Sequence, residues 1–419
     1  MATGTMAPGE SAGGLRDLMA AGSVPAVFGI AMAFVLITRL PLARTEAFDP
    51  DEFGYLDQIQ AFRFPMHHTL FMAAARVVGE WSGDAYRGFV ILDMIASASA
   101  LTSVWWWLRA LVRPATASAA TLALAVAPVF WAYGAMAANY TVIPLVGSFL
   151  LGVAVRTWHD PRPWHPYASA VVLALGAGYR QDIGTFWLPV FFVILWSHRG
   201  MAAAQALALF TAVNMAWLVL MLRDIGGWDY YREASAEFAY SAGYLNSVWH
   251  LGLVDAPARY AVKASMALLW TLGPGLLFVP RGAFRLGRQP GGRGLAALLA
   301  LSVLPALGSH LLVHFGVPGY AFHYLPAVLA LTAVGIGRSS IARPDAWAPA
   351  RLLALATFLA AVFWFYPTDF QRPGVRGDFD LAFARQTRTG LRTRPPHRNP
   401  ESWRTPNSQR RLDETPSGR

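Results

Sequence analysis

Runs of about 20 apolar residues recur along almost the whole chain, from Val24 to Tyr366. Each run is long enough to cross the hydrocarbon core of a bilayer, which is about 30 Å thick. Hydrophobic residues make up 55% of the 419 residues and charged residues only 14%, whereas a soluble domain carries about 25% charged residues. The chain therefore lacks the polar surface of a soluble fold, and the pattern predicts an all-α polytopic membrane protein.

The apolar runs predict about 11 membrane crossings. They lie at residues 24–40, 88–108, 115–133, 141–155, 167–177, 183–197, 202–222, 260–280, 294–315, 320–337 and 352–366. The chain divides accordingly into three regions. Residues 1–23 are expected to be disordered, residues 24–366 to form the transmembrane domain, and residues 367–419 to form a disordered, arginine-rich tail.

The net charge of +10 comes almost wholly from arginine, because Lys263 is the only lysine. The arginines are scattered over short loops rather than gathered in one stripe, which argues against nucleic-acid binding. The chain has no cysteine, so disulfides and thiolate chemistry are excluded.

Arginine in short loops also predicts the orientation, because cytoplasmic loops carry an excess of Lys and Arg. If the N-terminus is cytoplasmic, one face collects Arg109, Arg113, Arg156, Arg162, Arg199, Arg281, Arg285, Arg288, Arg293, Arg338 and Arg343. The loop between the first two apolar runs then faces outward.

That loop is acidic, with Asp49, Asp51 and Glu52 within four positions and Asp57 soon after. Carboxylates kept beside hydrocarbon usually mark a pathway or a site. The alternative is ordinary solvated charge in a loop.

Three further outward segments carry unusual polar residues. They are residues 63–68 with His67 and His68, residues 178–182 with Arg180 and Gln181, and residues 319–326 with Tyr320 and His323. The two histidines, as neighbours that diverge by about 100° in a helix, are poor joint metal ligands. Arg180 could simply pair with Asp182, and Tyr320 and His323 could belong to an aromatic belt.

Together the four segments suit transfer from a phosphorylated donor to a hydroxyl acceptor. One carboxylate would take the acceptor proton, and fixed cations would stabilise the departing phosphate.

The acidic loop resembles a known motif. The sequence PDEFGY at residues 50–55 is similar to the Pro-Asp-Glu-x-x-Tyr of the first outer loop in polyprenyl-phosphate-dependent aminoarabinose transferases, and the related protein O-mannosyltransferases carry an Asp-Glu pair. Residues 66–71 resemble a degenerate His-Pro-Pro-Leu-Tyr stretch, in which His68 and Thr69 replace the two prolines. Residues 178–189 and 319–326 are similar to the family's Gly-x-Arg…Leu-Pro and Tyr-Leu-x-Pro segments.

The resemblance implies the GT-C fold, a helical bundle whose first outer loop carries the catalytic acid. It implies an inverting glycosyltransferase in the bacterial inner membrane that moves a sugar from a polyprenyl-phosphate donor to a lipid, protein or polysaccharide acceptor on the outer face. Asp51 would be the base and Glu52 a second acidic group. Substrate contacts would come from Asp49, Tyr55, His67, His68, Arg180, Gln181, Tyr320 and His323. A divalent cation is compatible with the motif but not required by it.

Two other functions fit the composition. A polyprenyl-lipid flippase would need polar residues near the bilayer midplane, and Asp93 and Asn214 are the candidates. The second alternative is a catalytically inactive relative or a non-enzymatic scaffold. Residues 139–141 match a glycosylation sequon, which we interpret as accidental because it lies at a span boundary.

Overall fold

The computed structural model describes residues 23–43, 50–289, 291–337 and 346–365. Across these residues the secondary structure is helical, without a strand. The two predicted disordered regions lie outside the described residues, apart from Ser23, and so does Asp49.

The helices are numbered here in chain order. They are α1 (Val24–Arg39), α2 (Pro50–Ala61), α3 (Thr69–Ser82), α4 (Ala85–Leu108), α5 (Pro114–Ala125), α6 (Pro128–Tyr133), α7 (Val142–His159), α8 (Trp164–Tyr179), α9 (Gln181–His198), α10 (Gly200–Ile225), α11 (Trp228–Phe238), α12 (Val248–Leu251), α13 (Asp255–Leu272), α14 (Val279–Gly287), α15 (Gly292–Leu312), α16 (Leu325–Ile336) and α17 (Ala348–Phe365).

By length and composition, 5 helical stretches in the described part of the chain can cross a membrane. They are α4, α7, α10, α15 and the stretch from α13 through α14, and the shorter apolar helices are α1, α5, α16 and most of α17. These helices agree with the predicted helical membrane protein, whereas the predicted number of crossings is not confirmed.

Several predicted crossings are interrupted. The run at residues 115–133 forms two helices, because Pro128 cannot donate a backbone hydrogen bond and instead begins α6. The run at residues 260–280 breaks at Gly273, where φ is +51° and a short 3-10 helix, Gly273–Phe278, begins. Positive φ is readily adopted by glycine, so the break is encoded locally.

The acidic loop is in large part a helix. We expected residues 48–57 to be a loop, but α2 begins at Pro50 and includes Asp51, Glu52 and Asp57. Proline favours the first position of a helix, and carboxylates in the first turn interact well with the positive end of the helix dipole. The long loop expected at residues 223–259 likewise contains α11 and α12.

Helix α4 forms the centre of the bundle and packs against α1, α3, α5 and α7. In its most apolar stretch 72% of the residues are buried within the protein, against 11% in α10. A helix that is apolar all round and buried lies in a core, whereas the apolar surface of α10 is largely uncovered by the rest of the protein, as expected of a helix that faces lipid. Trp107 of α4 donates from Nε1 to the carbonyl of Pro326, at 3.2 Å, and so ties α4 to α16.

Candidate functional site

Residues 134–141 link α6 to α7. They lie beside the N-terminal half of α4. Glu52 of α2 is buried against this segment, and only 1% of its surface is exposed. Its Oε1 accepts hydrogen bonds from the hydroxyl of Tyr86, at 3.0 Å, and from the backbone N–H of Ala137, at 3.2 Å. The two donors compensate part of the cost of burying the carboxylate, and they anchor the start of α2 to the bundle.

Asp93 holds the same segment one residue further on. Its Oδ2 accepts from the backbone N–H groups of Ala138, at 2.8 Å, and Asn139, at 3.1 Å, and its Oδ1 accepts from the hydroxyl of Thr141, at 3.3 Å. Asp93 is fully buried. Asn139 has φ of +44°, a left-handed conformation that Asn tolerates better than most residues. Two carboxylates from different helices therefore fix three successive backbone N–H groups.

Arg180, between α8 and α9, is 3% exposed. Its Nη1 donates to Oδ1 of Asn139 at 2.6 Å, and its Nε and Nη2 donate to the two carboxylate oxygens of Asp182 at 3.2 and 2.9 Å. The guanidinium lies 4.0 Å from the ring centre of Tyr140 and 5.7 Å from that of Tyr320. The pairing with Asp182, which we considered as the alternative to a phosphate contact, is present.

Asp182 also reaches the late segment of the chain. Its Oδ2 lies 3.3 Å from Nε2 of His323, in the 3-10 helix Pro318–His323. Fully buried His323 packs its ring edge-on against Phe186 at 4.9 Å. A continuous series of polar contacts thus runs from Asp93 through Asn139, Arg180 and Asp182 to His323.

The histidine pair lies beside α2. The ring of Tyr55 is 6.1 Å from that of His67 and 5.6 Å from that of His68. His68 has φ of +50°, and within the described residues its buried Nδ1 has no hydrogen-bond partner. Strained backbone and unsatisfied polar atoms are frequent at functional sites.

Both imidazoles are held neutral. Burial, followed by the positive charge of Arg180, lowers the pKa of His67 to about 4, although Asp182 acts in the opposite direction. Burial and the neighbouring His67 hold the pKa of His68 well below its ordinary value. At neutral pH these side chains are therefore uncharged donors or acceptors.

The histidine loop is tied to two other helices. Gln181 donates from Nε2 to the carbonyl of Met66 at 3.1 Å, and the backbone N–H of Phe64 donates to Asp224 at 2.7 Å. The structure therefore brings together the described parts of all four segments that we singled out from the sequence.

The expected base lies on the same helix as Glu52. Asp51 lies in the first turn of α2, next to Glu52 and one helical turn before Tyr55. Asp49 lies outside the described residues. Within the described part of the chain there is no group of three or more His, Cys, Asp or Glu that could hold a metal ion.

Sequence reasoning missed the central segment of this site. Asn139 was interpreted as part of an accidental sequon, and Asp93 as a transporter candidate. A carboxylate in an otherwise apolar helix was the available signal for Asp93, whereas the N–H groups of Ala137 and Ala138 have no signature in the sequence. Asn214, the other transporter candidate, donates to the carbonyl of Phe210 in its own helix, at 2.8 Å.

No protein-family model matches the chain. No curated protein matches it either.

Among solved structures, the chain is similar to the archaeal oligosaccharyltransferase AglB from Archaeoglobus fulgidus in complex with an inhibitory peptide and a dolichol-phosphate. The TM-score is 0.46 at 11% identity, over 81% of this chain and 54% of that one. The Archaeoglobus fulgidus oligosaccharyltransferase complex with Zn and sulfate gives 0.46 at 11% identity, over 86% and 53%, and its apo form 0.47 at 11%, over 87% and 56%. The chain spans about half the length of these structures. With TM-scores below 0.5, this similarity by itself establishes neither the fold nor the activity of the chain.

Proposed function

We propose that this protein is an inverting membrane glycosyltransferase that moves a sugar from a polyprenyl-phosphate donor to a hydroxyl acceptor. The observation that carries the proposal is the placement of Glu52. A buried carboxylate with two donors fixes the first turn of α2, and the preceding residue, Asp51, is the one that matches the catalytic acid of the motif.

The reaction needs one base. The acceptor hydroxyl attacks the anomeric carbon, the bond from that carbon to the phosphate oxygen breaks, and the bonding electrons leave with the polyprenyl phosphate. The carboxylate of Asp51 takes the proton of the hydroxyl, a contribution of typically about 10²–10⁴-fold in rate.

Glu52 has a different role in this proposal. Its carboxylate is 1% exposed and accepts from Tyr86 and Ala137, so it is poorly placed to take a proton from an acceptor. We assign it as a positioning residue that holds α2 and thereby Asp51. The proposed base and its anchor are thus two adjacent carboxylates of α2.

Arg180 is also assigned a positioning role. Its guanidinium is engaged by Asn139 and Asp182 and is nearly inaccessible, which argues against the direct phosphate contact expected from the sequence. His67 is the better candidate for a donor to the leaving phosphate, because its side chain is partly exposed, whereas His68 is buried like Arg180. It belongs to the loop beside Tyr55, where the two ring centres lie 6.1 Å apart.

The site is proposed to face away from the cytoplasm, because the arginine-bearing loops at Arg113, Arg162 and Arg288 are expected on the cytoplasmic side. The chain has no cysteine, so single cysteines can be introduced at residues 54 and 162 and labelled with an impermeant thiol reagent in intact cells. Labelling at 54 alone is expected. Labelling at residue 162 alone would show that the protein has the opposite orientation.

The donor class is tested by the lipids that co-purify with the protein. Mass spectrometry of an organic extract from the purified wild-type protein is expected to find a polyprenyl-phosphate-linked sugar or a polyprenyl phosphate. A matched membrane protein purified in the same way should lack it. Equal amounts in both preparations would contradict the proposed donor.

A further inference from the structure

A cleft of about 500 Å³ opens between the end of α4, the end of α7 and the start of α8. Its walls include Trp106, Arg109, Arg156, His159, Arg162 and His165. None of these residues belongs to the candidate site described above.

The cleft lies at the opposite end of the same helices. Tyr86, which contacts Glu52, stands at the start of α4, and Arg109 directly follows that helix. The 23 positions between them correspond to roughly 35 Å along a helix axis, at about 1.5 Å per residue. Asn139 precedes α7 and His159 ends it, so α7 separates the two regions in the same way.

The wall of the cleft is positively charged and firmly held. Arg156 donates from Nη1 to the carbonyl of Gly152 at 3.0 Å and from Nη2 to that of Trp106 at 2.7 Å, and its guanidinium lies 3.6 Å from the ring centre of Trp106. Arg109 lines the same cleft, and its guanidinium lies 4.7 Å from the ring centre of Trp105. Two cationic groups in the wall of one cleft favour the binding of an anion.

The rim holds one more cation and one carboxylate. Arg162 pairs with Asp160 at 2.7 Å, and both side chains are more than half exposed. An exposed pair of this kind contributes little stability, so Arg162 can turn towards an anion at small cost. With three arginines against one carboxylate, the formal charge of the lining remains positive without the histidines.

Tryptophans flank the opening. Trp158 and Trp164 are 40% and 44% exposed, and exposed tryptophan at the end of a membrane helix is typical of the lipid headgroup level. Basic pockets between membrane helices at this level bind anionic lipid headgroups, and arginine suits phosphate because its planar fork can donate two parallel hydrogen bonds.

We propose that this cleft is an anion site for a phosphate group, with Arg109, Arg156 and Arg162 as its donors. The ligand is the headgroup phosphate of an anionic phospholipid or a soluble phosphate ester. The site does not take part in the glycosyl transfer proposed above and does not depend on it.

The experiment is native mass spectrometry of the full-length protein in detergent with phosphatidylglycerol or phosphatidylcholine, and a separate melting curve with inorganic phosphate. Preferential retention of phosphatidylglycerol is expected for a lipid site. A rise in melting temperature with phosphate, without lipid retention, identifies a soluble ligand. Absence of both responses overturns the proposal.

Single arginine variants test whether the phosphate group binds in this cleft. Arg109→Gln and Arg162→Gln are each expected to weaken binding roughly tenfold, the usual size of one lost charge-assisted hydrogen bond. Arg162 is exposed and paired only at the surface, so its variant keeps the test valid if Arg109→Gln fails to fold. Arg113→Gln is the control, because Arg113 is exposed, near the same helix end and absent from the lining. Equal loss in Arg113→Gln and Arg162→Gln would also overturn the proposal.

Discussion

Arg180 donates a hydrogen bond of 2.6 Å from Nη1 to Oδ1 of Asn139. The contact joins the start of α9 to the segment whose backbone binds Glu52 and Asp93. Through it, a buried cation is connected to the helix that carries the proposed base. Several of the expected consequences can be measured separately from catalysis.

The pair of Arg180 and Asp182 should behave as one structural unit. Removing one partner of a buried pair typically costs about 3–5 kcal/mol, because the other charge is left uncompensated. We expect Arg180→Ala and Asp182→Ala each to lower stability in this range, and the double variant to lower it by clearly less than the sum. Thermal unfolding in detergent measures this cycle. If Arg180→Lys instead abolishes donor binding at unchanged stability, the result would support the direct phosphate contact expected from the sequence.

Asn139 offers a test that separates backbone strain from side-chain contact. Its φ is +44°, so Asn139→Ala should combine a left-handed penalty of roughly 1–2 kcal/mol with the lost acceptor for Arg180. Asn139→Gly loses the acceptor without that penalty. We therefore expect the alanine variant to melt at a lower temperature than the glycine variant, and both to lose activity. Identical melting temperatures would contradict the backbone argument.

Gly319 is required by close approach to Tyr140, on whose ring Arg180 stacks. A Cβ at Gly319 would lie 2.3 Å from Cγ of Tyr140, so the ring must move or the 3-10 helix must shift. We expect Gly319→Ala to destabilise the protein and reduce transfer. Gly308→Ala is the matched control, since nothing lies within 4 Å of a Cβ there and alanine favours a helix. An equal loss of stability in Gly319→Ala and Gly308→Ala would contradict the proposed steric role of Gly319.

Much of the fold could be predicted, because apolar run length determines where a helix can cross a membrane. The helices α1, α4, α7, α10 and α17 lie within a few residues of the predicted runs. The interruptions were less visible, although Pro128 and Gly273 are local signals for them.

Of the candidate site, only some of the polar side chains could be predicted from the sequence. Glu52, Arg180 and His323 could be singled out because polar and charged residues are rare in such a chain. Glu52 accepts from the backbone N–H of Ala137, and Asp93 accepts from that of Ala138, and every residue except proline carries such backbone N–H groups. No pattern in the sequence distinguishes them. The pairing of Arg180 with Asn139, 41 positions apart, follows from the meeting of α7 and α8 and not from local sequence.

The low pKa of His67 makes stability depend on pH. Folding lowers that pKa from 6.5 to about 4, so below pH 6.5 the unfolded chain binds a proton that the folded protein does not. The contribution of His67 is constant above pH 6.5, and stability falls as the pH drops from 6.5 to 4. We expect His67→Gln to lose less melting temperature than the wild type between pH 7 and pH 4.5. The exposed His250→Gln is the control, and the same pH response in both variants would contradict the assignment.

The central claim is that Asp51 acts as the base while Glu52 positions it, and transfer by Asp51→Asn protein tests it most directly. The assay follows the sugar from the polyprenyl-phosphate donor identified in the purified protein to its acceptor, alongside donor binding and a melting curve. We expect Asp51→Asn to reduce transfer by about 10²–10⁴-fold with donor binding and melting temperature unchanged. Glu52→Gln, which keeps an acceptor for Tyr86 and Ala137, should retain partial turnover. Full transfer by Asp51→Asn would contradict the account.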